Sequence, residues 1–445
     1  MESEDDPRDA QPKRRRRNVD EDDVDEGWAW VVLVASFIVN IISLGTNFSL
    51  GVYFAEFVDY FKESKTQTAF LISLSCALVL AAGPFASVLA NRFGTRILII
   101  CGGLVTATGF ILSAFVQQFW VMFITFGFMT GFGGGLSYSP SFGVLPLYFR
   151  RRRNFATAIV TAGNGVGIFI FPFLFRYLIA TYSWRGAMFI NAGIALNVIP
   201  CGAVIFKRQK RIPGGGLAQF LDLSLFREAS FYYHLLHFYL MGSNFIFTVL
   251  CIRYALDVTD ATKDQAPLLL TINGAMNIVG RTLSAVVSTN PKIATSRNRF
   301  ILLHIFSISV AVSIASYGWC TSFPAVCVVA GWVGLSWGTK FALVPGVTID
   351  IVGADRFNAA WGYSVFILGL AFLSFPPLGS YIADSTLSFS NAFYFSGIVS
   401  GVAALFCFLL HFIMWRKMQK VRRETAEVDH TVRIVRYKAN NNGEA

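Results

Sequence analysis

Twelve apolar stretches, each long enough to cross a bilayer, fill most of this chain, and only two strong charges, Arg281 and Lys340, lie deep inside them. A hydrocarbon core of about 30 Å needs roughly 20 apolar residues per helix. The stretches fall near residues 28–53, 67–90, 96–115, 119–145, 155–180, 184–206, 229–254, 265–289, 299–319, 322–351, 357–383 and 390–414. They are too long and too unbroken for the strands of a membrane barrel, which run about 9–11 residues and alternate. The expected fold is therefore an all-α polytopic membrane protein. A cation inside a span is costly and usually faces a cavity or a partner rather than lipid. Two cations with no deep carboxylate to neutralise them point to a cavity that receives an anion.

Charge sets the orientation. The chain carries a net charge of +11, which taken alone would fit a nucleic-acid binder. Its distribution excludes that reading. With both termini placed in the cytoplasm, inside segments hold 29 of the 37 Lys and Arg residues and outside loops hold 5, namely Lys62, Lys65, Arg185, Arg253 and Lys263. This is the positive-inside bias. Residues 1–27 form a charged tail, with a basic run from Lys13 to Arg17 and an acidic run from Asp20 to Glu26. The basic run reads as a solvated juxtamembrane segment near anionic lipid. Residues 28–206 form a first group of six spans and 229–414 a second. A cytoplasmic linker over 207–228, with Pro213-Gly214-Gly215-Gly216, separates them, and 415–445 form a cytoplasmic tail. Six spans plus six predict two halves built from inverted three-helix repeats. The substrate would sit near the midplane and be exposed alternately to the two sides.

Other classes leave no trace. The first apolar stretch follows 27 polar residues and is too long for a signal-peptide core. The seven Cys residues lack a disulfide or zinc spacing and read as small apolar side chains. The one Asn-x-Ser/Thr sequon, Asn47-Phe48-Ser49, lies within the first span, so no glycan is expected there. There is no HExxH, no Gly-x-Ser-x-Gly and no deep carboxylate pair. Neither an enzyme nor a cofactor is expected.

Three segments carry more specific information. Asn91-Arg92-Phe93-Gly94-Thr95-Arg96 joins the second and third spans, with Gly94 permitting a tight turn. Asp25-Glu26-Gly27-Trp28-Ala29-Trp30 opens the first span, with acids suited to a helix N-terminus and Trp to the interface. Tyr148-Phe149-Arg150-Arg151-Arg152-Arg153, followed by Ala162-Gly163-Asn164-Gly165-Val166-Gly167, opens the fifth. There Gly163 and Gly167 form a GxxxG face for close helix contact. The first segment resembles the loop motif of the major facilitator superfamily, with Asn91 where Asp is usual. The other two, in this order and spacing, resemble the paired motifs of the monocarboxylate transporter family (solute carrier family 16). Asp350 to Gly353 and Pro376 to Gly379 resemble that family's tenth and eleventh helices. Arg151 stands where Lys is usual, and Phe155 and Ala158 where Leu and Gly are common. The resemblance implies the major facilitator fold and, for some members, a single-span ancillary glycoprotein; the tails and loops point to the plasma membrane.

The resemblance also bears on coupling. Asn277 and Arg281 are four residues apart on one helix face. Proton-coupled members carry Asp and Arg at this spacing, the Arg resembling a ligand for the substrate carboxylate and the Asp a proton carrier. Asn277 cannot take up and release a proton. Phe48 stands where those members carry a Lys. The expected protein is thus a carrier for a small organic anion, facilitative rather than strongly proton-coupled. The alternatives are a proton-linked symporter and a non-transporting sensor on the same scaffold.

Lys340 falls at the depth of Arg281, each roughly 6 Å from the midplane at about 1.5 Å per residue, and is a candidate second cation of the site. His237 falls at a similar depth and is a candidate proton carrier. Asn244 and Asn164 are candidate cavity-lining residues. Arg176 is expected to snorkel to the outer interface, and Glu56 and Asp59 to be solvated at the outer mouth.

Overall fold

Apolar side chains leave no room for unsatisfied backbone in lipid, and every long apolar stretch is helical. The computed structural model describes residues 26–149, 153–206, 223–289, 295–353, 356–409, 412, 413 and 416. Asp25, Arg151, most of both tails and most of the linker lie outside these. Among the described residues there is no strand. The helices are α1 (Trp28–Phe48), α2 (Gly51–Phe61), α3 (Lys65–Ala81), α4 (Gly83–Phe93), α5 (Thr95–Phe115), α6 (Phe119–Gly143) and α7 (Arg153–Leu196). After the linker come α8 (Ala229–Val258), α9 (Leu268–Thr289), α10 (Ser296–Tyr317), α11 (Phe323–Val352), α12 (Phe357–Ser385) and α13 (Phe389–Leu409).

Among the described residues ten helical segments are long and apolar enough to cross a membrane. One of them covers 45 residues, Ile159–Ala203, and Ser183 (φ 62°, ψ 170°) breaks it into two. No L-residue propagates an α-helix at that φ, so this segment corresponds to the two stretches 155–180 and 184–206. The polar helix α9, with Asn273, Asn277 and Arg281, is not among the ten.

The first span differs from its sequence expectation. A π-helical turn over Ile41–Gly45 rewinds α1, and the Ser49 hydroxyl donates to the Gly45 carbonyl at 2.8 Å where the helix breaks. The chain then continues as α2 to Phe61, well past the expected end at residue 53. The glycines expected to bring helices close lie against α1. A Cβ added at Gly167 would stand 2.5 Å from the Gly45 Cα, and one at Gly163 would stand 2.8 Å from the Phe37 carbonyl oxygen. Gly94, at φ +96°, makes the turn between α4 and α5.

The helices before and after the linker meet along three seams: α3 against α12, α7 against α9, and α2 against α8. At the end of the bundle near the α2–α3 connection these seams are tied by charge. Asp59 of α2 pairs with Arg253 of α8 at 3.2 Å and with Lys263 at 3.6 Å. Lys65 of α3 pairs with Asp384 of α12 at 3.6 Å. Arg176 of α7 pairs with Glu56 of α2 and with Asp264, each at 3.0 Å. Arg176 therefore does not snorkel, and Glu56 and Asp59 are not merely solvated. Each faces an opposite charge contributed by a distant part of the chain, a proximity that hydropathy does not encode.

Candidate functional site

The site begins with the close crossing of α9 and α11. A Cβ at Gly334 would lie 2.2 Å from the Asn273 carbonyl oxygen, and one at Gly338 would lie 2.3 Å from that of Asn277. Only glycine permits this approach, and it fixes the face that α9 turns to the rest of the molecule. Asn273 is held by its Nδ2–H donating to the Ala330 carbonyl at 3.1 Å.

That face borders a cavity between the two sets of helices. Its polar lining is Asn164 from α7, Asn244 and Thr248 from α8 and Asn273 and Asn277 from α9. Its apolar lining includes Phe48, Phe245, Phe372 and Trp337. Phe245 and Phe372 stack at 4.2 Å, and Phe48 meets both edge-on at 5.5 and 5.8 Å. The position expected to lack a cation thus carries one ring of an aromatic trio. Two buried polar atoms here have no hydrogen-bond partner, Oδ1 of Asn164 and Nδ2 of Asn244. A buried polar atom left unmatched costs about 1–3 kcal/mol, so this acceptor and donor are suited to a polar solute.

Arg281 sits one turn along α9 from Asn277 and is 7% exposed. Its Nε donates to Asn277 Oδ1 at 2.8 Å, and an Nη donates to the Thr161 carbonyl of α7 at 3.3 Å. The Phe341 ring lies 5.2 Å from the guanidinium carbon, and Tyr138 of α6 stands near enough for its hydroxyl to interact with that charge. Among the described residues no carboxylate pairs with Arg281. The residue thus spans the seam between α7 and α9 and carries a buried charge balanced only by neutral oxygens and π-faces.

The structure brings Asn164, Asn244 and Asn277 together around the cavity, with Arg281 behind Asn277. It does not bring Lys340 or His237 to the cavity wall. Val333 and Trp337 line the cavity and Phe341 underlies Arg281, whereas Ser336 bonds Ser309 of α10 and Thr348 bonds His234 of α8. Lys340 shares the second face, turned into the packed helices after the linker. His237 lies on that same side, its Nδ1 donating to the Ala403 carbonyl of α13 at 2.8 Å.

Of the motif segments, only Asn164 reaches the cavity; Gly163 and Gly167 pack against α1. Trp28, Trp30, Tyr148 and Phe149 join the start of α1 to the ends of α6 and α7. The Trp28 indole donates to the Val204 carbonyl at 3.0 Å, Trp30 meets Phe149 edge-on at 5.7 Å, and the Tyr148 hydroxyl accepts from the Phe206 N–H at 3.2 Å. Gly27, at φ +51°, makes the turn into α1. Asp25 and Arg151 lie outside the described residues. Asn273, Trp337, Phe245 and Phe372 were missed by the sequence reading. One further Asn on α9 was the only signal available, since 44 Phe residues make any single one uninformative.

A helical membrane bundle with a polar-lined cavity between two sets of helices is the architecture of a solute transporter, and comparison with known proteins agrees. The profile of the Major Facilitator Superfamily matches residues 36–345. The chain is 30% identical over 413 residues to monocarboxylate transporter 6 of Homo sapiens, covering 86% of this chain and 80% of that protein. It is 31% identical over 398 residues to monocarboxylate transporter 3 of Rattus norvegicus, covering 86% and 79%. It is 26% identical over 504 residues to monocarboxylate transporter 14 of Mus musculus, covering 95% and 97%. The chain belongs to the monocarboxylate transporter family of the major facilitator superfamily. It is a multi-pass integral membrane protein of a family of transporters, not enzymes.

Proposed function

We propose that this protein moves a small organic anion bearing a carboxylate across the plasma membrane by alternating access, without a strongly coupled proton. The observation that carries the reading is Arg281, buried at the seam with no carboxylate partner among the described residues and held by Asn277 and the Thr161 carbonyl. Two six-span bundles, 28–206 and 229–414, would supply twelve crossings. The positive-inside bias supports cytoplasmic termini, with the charged end near the α2–α3 connection outside. The names of the relatives support a monocarboxylate as the class of solute.

The cycle follows from the contacts of Arg281. A carboxylate accepts two charge-assisted hydrogen bonds from a guanidinium and is a far better partner than a neutral carbonyl. Substrate therefore competes with the Thr161 carbonyl for Arg281. Because that carbonyl belongs to α7 and Arg281 to α9, the exchange releases one tie across the seam as the solute's charge is neutralised. The two bundles then rock about the cavity. Asn277 orients Arg281 but exchanges no proton, so net flux follows the substrate gradient.

The test is radiolabelled uptake into proteoliposomes, with lactate, pyruvate, creatine and aromatic amino acids as probes, with and without an inward proton gradient. Saturable uptake that ignores the gradient and falls by about 100-fold or more in Arg281→Gln is expected, since a buried charge-assisted pair is worth about 3–5 kcal/mol when broken. Uptake driven by the gradient would replace this reading with proton-linked symport. Saturable binding without flux would replace it with a sensor.

A further inference from the structure

Two of the cavity asparagines keep a hydrogen-bonding atom unmatched, one on each set of helices. Asn273 spends an N–H on the Ala330 carbonyl, and Asn277 spends its oxygen on Arg281. Asn164 of α7 is 8% exposed, and its Oδ1 has no partner among the described residues. Asn244 of α8 is 6% exposed, and its Nδ2 has none either. The cavity thus presents an acceptor from the helices before the linker and a donor from those after it.

Both amides are held in place. The Ser400 hydroxyl of α13 donates to Asn244 Oδ1, which turns the oxygen towards α13 and leaves the NH2 group free of it. The Ser396 hydroxyl donates to the Ser243 carbonyl at 2.9 Å and pins the turn Gly242–Asn244 to α13. Glycines on two faces fix the rotation of α7. Gly163 packs on α1, and a Cβ added at Gly165 would stand 2.7 Å from the Ile278 side chain of α9. Amides held this way do not turn to suit a solute. A solute that displaces water from such atoms without replacing its bonds loses affinity. A site with buried polar groups rejects an analogue that leaves them unpaired more strongly than one that lacks a methylene.

The helix sets the position of the matching group. Thr161, whose carbonyl accepts from Arg281, and Asn164 are three residues apart and share a face of α7. At 1.5 Å per residue they are separated by about 4.5 Å along the axis. Roughly three to four C–C bonds of about 1.5 Å cover that length. A carboxylate at Arg281 therefore brings its γ carbon, rather than its α carbon, to Asn164.

We propose that Asn164 and Asn244 select the solute, favouring carboxylates that carry near the γ position a neutral group able both to donate and to accept a hydrogen bond. A hydroxyl or an amide has that chemistry. Asn164 Oδ1 takes the solute's donor, and Asn244 Nδ2 gives to its acceptor. The inference rests on the reading of Arg281 as the carboxylate ligand. Because the two asparagines belong to different sets of helices, the γ group joins the bundles at one end of the solute while Arg281 holds the other. A plain alkyl acid leaves both amides unmatched.

The test is initial uptake into proteoliposomes of five radiolabelled acids, with protein-free liposomes subtracted. Valerate has no second polar group, and levulinate has a ketone at γ that only accepts. N-acetylglycine is the isostere of levulinate with N–H in place of the β methylene. γ-Hydroxyvalerate is the hydroxyl arm, and α-hydroxyvalerate tests the position. Wild type is expected to favour levulinate over valerate, and N-acetylglycine over levulinate, by about tenfold at each step. γ-Hydroxyvalerate is expected to exceed α-hydroxyvalerate. Asn164→Leu is expected to abolish the second step and keep the first, and Asn244→Leu the reverse. If Asn244→Leu does not fold, Ser400→Ala frees the Asn244 amide to turn and is expected to weaken the first step alone. Equal uptake of valerate and N-acetylglycine by wild type overturns the proposal. So do variants that slow all five acids equally, since the pair would then tie the bundles without reading the solute. Arg281→Gln is expected to lose uptake of every probe. Uptake retained in that variant overturns the reading of Arg281 and the γ placement with it, while the two asparagine variants still decide whether the pair selects.

Discussion

The charged end of the bundle is expected to bias the equilibrium between closed and open states, and two substitutions test it. Asp59→Asn and Asp384→Asn together remove three contacts that cross between the helices before and after the linker: Arg253–Asp59, Lys263–Asp59 and Lys65–Asp384. Arg253 keeps its in-helix partner Asp257 at 3.0 Å, so the change does not strand it. Exposed ion pairs contribute about 0.2–1 kcal/mol each. Lys263 is 60% exposed and its pair belongs at the bottom of that range, while Lys65 and Asp384 are both about one-third exposed and belong in the middle. The three together hold the end closed by about 1–2 kcal/mol, or a factor of roughly 5–30 in the ratio of open to closed. The measurement is the rate at which a membrane-impermeant thiol reagent reaches Thr248→Cys in the cavity wall from outside, with Cys320 replaced by Ser. The double variant is expected to react roughly 5–30 times faster, and wild type is expected to approach it at high external salt, which screens such pairs. Equal labelling rates in wild type and the double variant would refute the reasoning, because the charges would then not hold this end shut.

Three further outcomes follow from the geometry of the site. Asn277→Asp places a carboxylate against Arg281 Nε, and uptake is expected to become dependent on an inward proton gradient, measured in proteoliposomes at fixed substrate. Gly167→Leu drives a Cβ to 2.5 Å from the Gly45 backbone; a backbone contact cannot rotate away, so a cost of about 1–3 kcal/mol is expected as a lower melting temperature and reduced yield. Phe372→Ala removes one ring of the Phe48–Phe245–Phe372 trio and is expected to raise the KM for uptake by about tenfold or more, consistent with the few kcal/mol that a buried aromatic contributes, while a trypsin-resistance profile checks that the fold persists.

The helices were legible because hydropathy records depth. A residue's distance along a span follows from counting, and the expected ends of most spans fall within a few residues of the observed ones. The exceptions arise where tertiary contacts override the pattern. The first span runs on to Phe61 because α2 is held by the pairs of Glu56 and Asp59. Those partners lie roughly 120 to 200 residues away in sequence, and no local window contains them. Arg176 was misread for the same reason.

The site was legible in depth but not in azimuth. Arg281 and Lys340 were expected to act together because counting put both near the midplane. On a helix of 3.6 residues per turn, adjacent side chains differ by about 100°, so Lys340 and Phe341 point to different neighbours at almost the same depth. Phe341 lies under Arg281, while the Lys340 charge interacts with Cys407 of α13 and His237 of α8. What selects between those faces is the glycine-mediated crossing of α9 and α11 at Gly334 and Gly338, which presses backbone against backbone and leaves α11 only one rotation. The spacing of those glycines, i and i+4, is visible in the sequence, but the helix they meet is not. The same rotation that withholds Lys340 from the cavity turns it towards α8 and α13. The cationic depth signal that first marked this chain as an anion carrier therefore resolves into Arg281 behind the cavity wall at the α7–α9 seam and Lys340 turned away into the packed helices.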